Sequence, residues 1–107
     1  MTGRVVVSLP ATARKGELVE VKTLAGHPME TGFRRTQTGV LIPRDIITAF
    51  SCRYNGEEVF SAELHPAVAA NPLVAFTFLA SESGTLEFRW SGDNGFAASH
   101  SAKFDVV

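Results

Sequence analysis

The sequence is poor in the residues that usually carry chemistry. Cys52 is the single cysteine among 107 residues, so no internal disulfide can form and the redox compartment stays open. Charge of either sign is not in excess: 10 basic residues face 11 acidic ones, for a formal net charge of −1. That balance argues against a nucleic-acid or anionic-membrane partner held by bulk charge. No apolar run approaches the roughly 18 to 20 residues of a membrane-spanning helix. Glycines punctuate turns one at a time, and neither a phosphate-binding glycine loop nor a nucleophile elbow is present. The N-terminal "MTGRVVVSLPATA" is short of the roughly 7 to 15 apolar residues of a signal peptide. It reads as a first strand over residues 4–9, with no export signal of its own.

What is present points to one β-rich domain spanning residues 1–107. Hydrophobic residues make up 45% of the chain, enough for a packed core. In "GELVEVKTL", Val19, Val21 and Thr23 share one face and Glu20 and Lys22 the other, the period of a strand. Residues 45–64 hold two β-rich runs around Asn55-Gly56, the pair best suited to a two-residue hairpin turn. Phe50, Cys52 and Tyr54 share one face, as do Phe60, Ala62 and Leu64 across the turn. "LVAFTFLA" (73–80) is a strand with two largely apolar faces. "TLEFRW" (85–90) turns Leu86, Phe88 and Trp90 inward. "GDNG" (92–95) is a turn, and residues 96–107 alternate again. No helical stripe of ten residues occurs. About seven strands at short intervals predict an immunoglobulin-like β-sandwich, although the Cys…Trp…Cys signature of antibody domains is absent.

Residues 25–45 break this rhythm. The stretch "HPMETGFRRTQTGVLIPR" (27–44) exceeds the roughly 12 to 15 residues at which an irregular connection is usually functional or disordered. Met29, Phe33, Val40, Leu41 and Ile42 exclude a linker composition, and a small hairpin around Gly39 fits the pattern. Phe33 and Ile42 are candidates to pin the stretch to the sandwich. Met29 with Arg34, Arg35 and Arg44 suits a partner surface, since Met and Arg are enriched at interfaces. Gly32, Pro28, Pro66 and Pro72 read as turn formers.

Three chemical readings compete. His27, Cys52, His65 and His100 could hold a metal, but their spacing matches no ligand motif. His-Pro is ordinary turn chemistry at His27 and His65, and His100 reads as a core or edge histidine of the last strand. Cys52 could be a reactive thiol, but its neighbours on the strand favour a small buried apolar residue. A small metal or redox protein using His27, Cys52 and His65 therefore stands as the alternative, beside a sandwich adhesion or chaperone module. The third reading is a partner-binding subunit. Strand 73–79 and the loop before it carry it, with residues 27–35 nearby: Val74, Phe76 and Phe78 fill one face of the strand, and Leu73, Ala75, Thr77 and Leu79 form a second. That second face needs a cover, either a partner or the chain's own residues 25–45.

The blocks "KGELVEVKTL", "HPMETGFRR", "IPRDII", "CRYNGEEVFSAELHPAVAANPLVAFTF" and "SGTLEFRWSGDNG" together closely resemble the SoxZ family, from about Lys15 to the C-terminus. The resemblance implies an immunoglobulin-like subunit without a nucleophile or cofactor, not an enzyme in itself. It would pair with SoxY, whose C-terminal cysteine arm carries covalent sulfur intermediates of thiosulfate oxidation. Other Sox enzymes would visit that carrier. It also implies a periplasmic location reached by export with SoxY. On this reading His27, Met29, Glu30, Arg34, Arg35, His65, Leu73 and Leu79 are the candidate partner-binding residues.

Overall fold

The computed structural model describes residues 4–107. Eight strands follow one another: β1 (Val5–Ser8), β2 (Thr12–Ala13), β3 (Leu18–Ala25), β4 (Ile47–Tyr54), β5 (Glu57–Glu63), β6 (Leu73–Leu79), β7 (Gly84–Gly92) and β8 (Ala97–Val106). A single 3₁₀ turn, Asp93–Gly95, sits where the sequence predicts a turn. The strands form two sheets, β1-β3-β6 and β2-β8-β7-β4-β5. This is the expected immunoglobulin-like sandwich. All pairings are antiparallel except β2 with β8, where Thr12 lies opposite Asp105. β2 was not legible as a strand, because two residues are too short for any periodicity.

The alternation in sequence is the alternation in space. Val19, Val21 and Thr23 of β3 point inward, as do Phe50, Cys52 and Tyr54 of β4 and Leu86, Phe88 and Trp90 of β7. Thr23 tolerates burial because its hydroxyl donates to the Val74 carbonyl oxygen at 3.1 Å, which satisfies a group otherwise costly to desolvate. Aromatic rings organise the centre. Phe60 and Phe76 stack at 4.6 Å between centroids, and Phe50 touches Phe60, Phe76, Phe88 and Trp90. The hairpin between β4 and β5 turns at Asn55 and Gly56, both at positive φ (52° and 84°), as a tight primed turn requires. Tyr54 ties this end of the sheet to the next loop: its hydroxyl bonds the Glu82 carbonyl and accepts from the Glu82 N–H.

The molecule measures 59 × 21 × 19 Å, with a radius of gyration of 16.2 Å. A compact chain of this length would have about 13 Å. The longest strand has ten residues, which accounts for roughly 34 Å. Residues 30–45 account for the remaining length, because they do not fold over the sheets. They form a narrow two-stranded arm. Glu30 bridges to Asp45 and Arg35 to Leu41, and the Ile42 N–H donates to the Arg34 carbonyl oxygen at 2.8 Å. The arm turns back at Gly39, as the sequence suggested, with φ of 86°. Phe33 does not pin the arm to the sandwich; it is 82% exposed. The expectation failed because the arm pairs with itself through its backbone, which removes the need for an apolar anchor.

Candidate partner surface

The root of the arm is built around His27. Its ring is fully buried and packs edge-on against Phe96 at 4.8 Å. Nδ1 accepts the Met29 N–H at 2.9 Å, which places the proton of the neutral ring on Nε2. Nε2 lies 3.5 Å from an Asp45 carboxylate oxygen. The backbone of His27 is clamped to the loop before β6: its N–H donates to Asn71 Oδ1 at 3.0 Å, and its carbonyl accepts the Asn71 N–H at 2.7 Å. Met29, at φ 51°, is buried too, and its sulfur accepts the Ile47 N–H at 3.2 Å. His27 and Met29 are therefore interior residues, which corrects their assignment as partner-facing. The composition suggested a surface; the turn folds both side chains under the arm instead.

Two forked ion pairs stiffen the arm. Arg34 reaches Glu30 through Nε and Nη2, at 3.0 and 2.9 Å. Arg44 reaches Asp93 in the same manner, at 2.8 and 2.9 Å, and Asp93 also accepts the Ile46 N–H at 3.2 Å. The hydrogen bonds from Arg34 hold the Glu30 carboxyl below its ordinary pKa, and those from Arg44 do the same for Asp93. Arg35 is exposed and caps the tip by donating to the Gly39 carbonyl at 2.9 Å. Gly32 at φ 88° allows the close approach of Arg44, whose Cβ lies 3.0 Å from where a Gly32 side chain would begin. With the arm so fixed, Phe33, Val40 and Leu41 stand exposed on it. The pair Glu30 and Arg34 is visible in sequence as an i, i+4 spacing. The pair Arg44 and Asp93 is not, because 49 residues separate its members.

The outer face of β1-β3-β6 carries the second apolar feature. Register places Val6, Leu24 and Leu73 in one row across all three strands, and Leu18 opposite Leu79 in another. Leu18, Leu73 and Leu79 are 70%, 64% and 56% exposed. Between the rows, Lys22 Nζ stands 3.5 Å from Glu20. The chain's own residues 25–45 do not cover this face, since residues 25–29 are built into the sandwich, residues 30–45 form the arm, and the leucines stay exposed. Of the remaining candidates, His65 is exposed in the loop after β5, away from any cluster.

Metal and thiol chemistry find little to work with. Among the described residues, no three of His, Cys, Asp and Glu converge as a metal site; His27, Cys52, His65 and His100 are not brought together. His100 is an exposed edge residue of β8, paired in register with Phe88. Cys52 is wholly buried, and burial pushes its thiol up to about 12.

The architecture defines the class: an immunoglobulin-like sandwich with an unpartnered apolar sheet face and a projecting arm. The fold is shared with superoxide reductase (neelaredoxin) from Ignicoccus hospitalis, at 16% identity and a TM-score of 0.75 over 96% of this chain and 80% of that one. The superoxide reductase of Archaeoglobus fulgidus in the reduced form is similar at 20% identity and a TM-score of 0.65, covering 95% and 89%. So is the sulfur carrier protein SoxY from Chlorobium limicola f thiosulfatophilum, at 15% identity and a TM-score of 0.67, covering 95% and 74%. At such identities these likenesses establish the fold alone. No curated protein matches the chain in sequence. Residues 7–103 match the model of the family described as sulphur oxidation protein SoxZ. The chain belongs to the SoxZ family, and its role lies in sulfur oxidation.

Proposed function

We propose that this chain is the non-catalytic partner subunit of a sulfur carrier, pairing with a SoxY-type chain that supplies the sulfur-bearing cysteine. The observation that carries this reading is the state of Cys52. A thiol carries sulfur through its thiolate. The one thiol here is buried, and burial pushes its pKa up to about 12, so the thiolate is a trace species at neutral pH. A carrier containing this subunit therefore needs its cysteine from elsewhere. The exposed rows on β1-β3-β6, with Leu73 and Leu79, are the proposed contact with that partner. The arm, with Phe33, Glu30, Arg34 and Arg35, and the loop with His65 are proposed as further contacts, to the partner or to enzymes that visit it. The resemblance adds a periplasmic location, reached by export with the partner.

Intact-protein mass measurement after thiosulfate turnover in the reconstituted system tests this. The added sulfur mass should fall on the partner's cysteine and persist there when Cys52 is replaced by Ala. An adduct on Cys52 would overturn the reading.

A further inference from the structure

The outer face of the five-stranded sheet, on the other side of the sandwich from the proposed partner contact, holds an open concavity of about 690 Å³. Its walls are low because the side chains that form it are small, including Ala49, Ser51, Ala97 and Ser99. Two arginines rise from this floor, Arg53 on β4 and Arg89 on β7. Register fixes their relation. Arg89 lies between Ser51 and Ser99 in one cross-strand row, and Arg53 belongs to the next row, opposite Glu87 on one side and Glu58 on the other. The two arginines are thus diagonal neighbours, roughly 7–8 Å apart along the sheet.

Arginine is the residue best shaped for a small oxyanion, because its planar fork donates two parallel hydrogen bonds. In the arm that capacity is already used: Arg34 is forked to Glu30 and Arg44 to Asp93. Among the described residues, neither Arg53 nor Arg89 makes an ion pair or a side-chain hydrogen bond, despite the two glutamates beside Arg53. The hydroxyls of Ser51 and Ser99 make none either. Two guanidinium groups and two hydroxyls therefore face one trough with their donors free. The flanking Glu87 and Glu58 keep the surrounding field near neutral, which favours a compact anion over a polyanion.

We infer that Arg89 and Arg53, with Ser51 and Ser99, form a binding site for a sulfur oxyanion: thiosulfate, sulfite, or the terminal sulfonate of a thiosulfonate carried on a cysteine. This rests on the carrier reading for the identity of the anion, since oxidation of sulfur passes through such species. The chemistry shared by the free and the carried forms is a trigonal array of anionic oxygens, which the forks of Arg89 and Arg53 can clamp while the hydroxyl on either side of Arg89 offers a further donor. Arg89 is the centre of the site because its nearest neighbours are hydroxyls. Arg53 is the second arm of the clamp.

The test is a titration of isotope-labelled protein, followed by backbone amide shifts, with thiosulfate and separately with S-sulfocysteine, each against sodium chloride at matched ionic strength. Saturable shifts confined to residues 49–53, 89–91 and 97–99 are expected, weakened at least tenfold in Arg89→Gln and also in Arg53→Gln. Tighter binding of S-sulfocysteine than of thiosulfate assigns the site to the carried form, and equal or weaker binding assigns it to the free ion. Both variants lie on the solvent face, and the rest of their amide spectrum reports whether the fold is kept. Shifts spread over the surface, reproduced by chloride, or unchanged in both folded variants would overturn the inference. Pairing with the SoxY-type chain, measured in the same samples, keeps the two readings separate: a loss of anion binding with pairing intact removes the site and leaves the carrier subunit.

Discussion

Cys52 illustrates how a residue's neighbours decide its chemistry. It lies between Phe50 and Tyr54 on the inward face of β4, opposite Phe88, and burial alone raises its pKa to about 12 from an ordinary value near 9. The sign of the linkage follows. The folded state holds this proton more tightly than the unfolded chain does, so the contribution to stability is complete below about pH 9 and is lost as pH rises toward 12. Denaturant titrations from pH 8 to 11 should show a falling limb that is shallower in Cys52→Ala. Cys52→Ser introduces a hydroxyl without a partner and should cost about 1–3 kcal/mol, read as a lower urea midpoint, while sulfur turnover of the reconstituted pair persists. His27 shows the opposite lesson. The same His-Pro dipeptide that sequence reads as plain turn chemistry becomes, through Asn71 and Met29, the buried pivot from which the arm leaves the sandwich.

At the scale of elements, strands were legible wherever side chains alternate. β3, the β4-β5 hairpin and β7 emerge from the sequence with their inward faces correctly chosen, because one buried face forces period 2. The arm was legible only as an anomaly. Its pairing is local and backbone-driven around Gly39, which suggests the turn, but its root is also tied by the fork between Arg44 and Asp93, a contact between distant segments that no spacing rule reveals. That fork gives a prediction. Arg44→Ala should loosen the arm root without melting the sandwich, so the amides of Glu30, Asp45 and Ile46 should lose hydrogen-exchange protection while those of β4 and β7 keep theirs. Collapse of protection throughout would show that the arm root belongs to the core. Because the carboxyls of Glu30 and Asp93 are held below their ordinary range, their hold on the arm is present above about pH 4 and is lost as pH falls through the lowered values. The same amides should lose protection first on acidification.

At the scale of the whole molecule, the open apolar face of β1-β3-β6 is the proposed contact with a partner subunit. The sequence left two covers for that face, and the structure removes one of them: residues 25–29 are built into the sandwich and residues 30–45 form the arm. Alone, the chain should self-associate through that face at high concentration. The most direct measurement is the affinity of the chain for a SoxY-type partner before and after Leu79→Glu, with circular dichroism of each free subunit as control. Leu79 is more than half exposed, so the substitution should leave the free fold unchanged. It should weaken pairing by about 2–4 kcal/mol, or roughly 30- to 1,000-fold, the scale of an interface hot spot. Unchanged affinity with the fold intact, or unfolding of the lone subunit, would contradict the account.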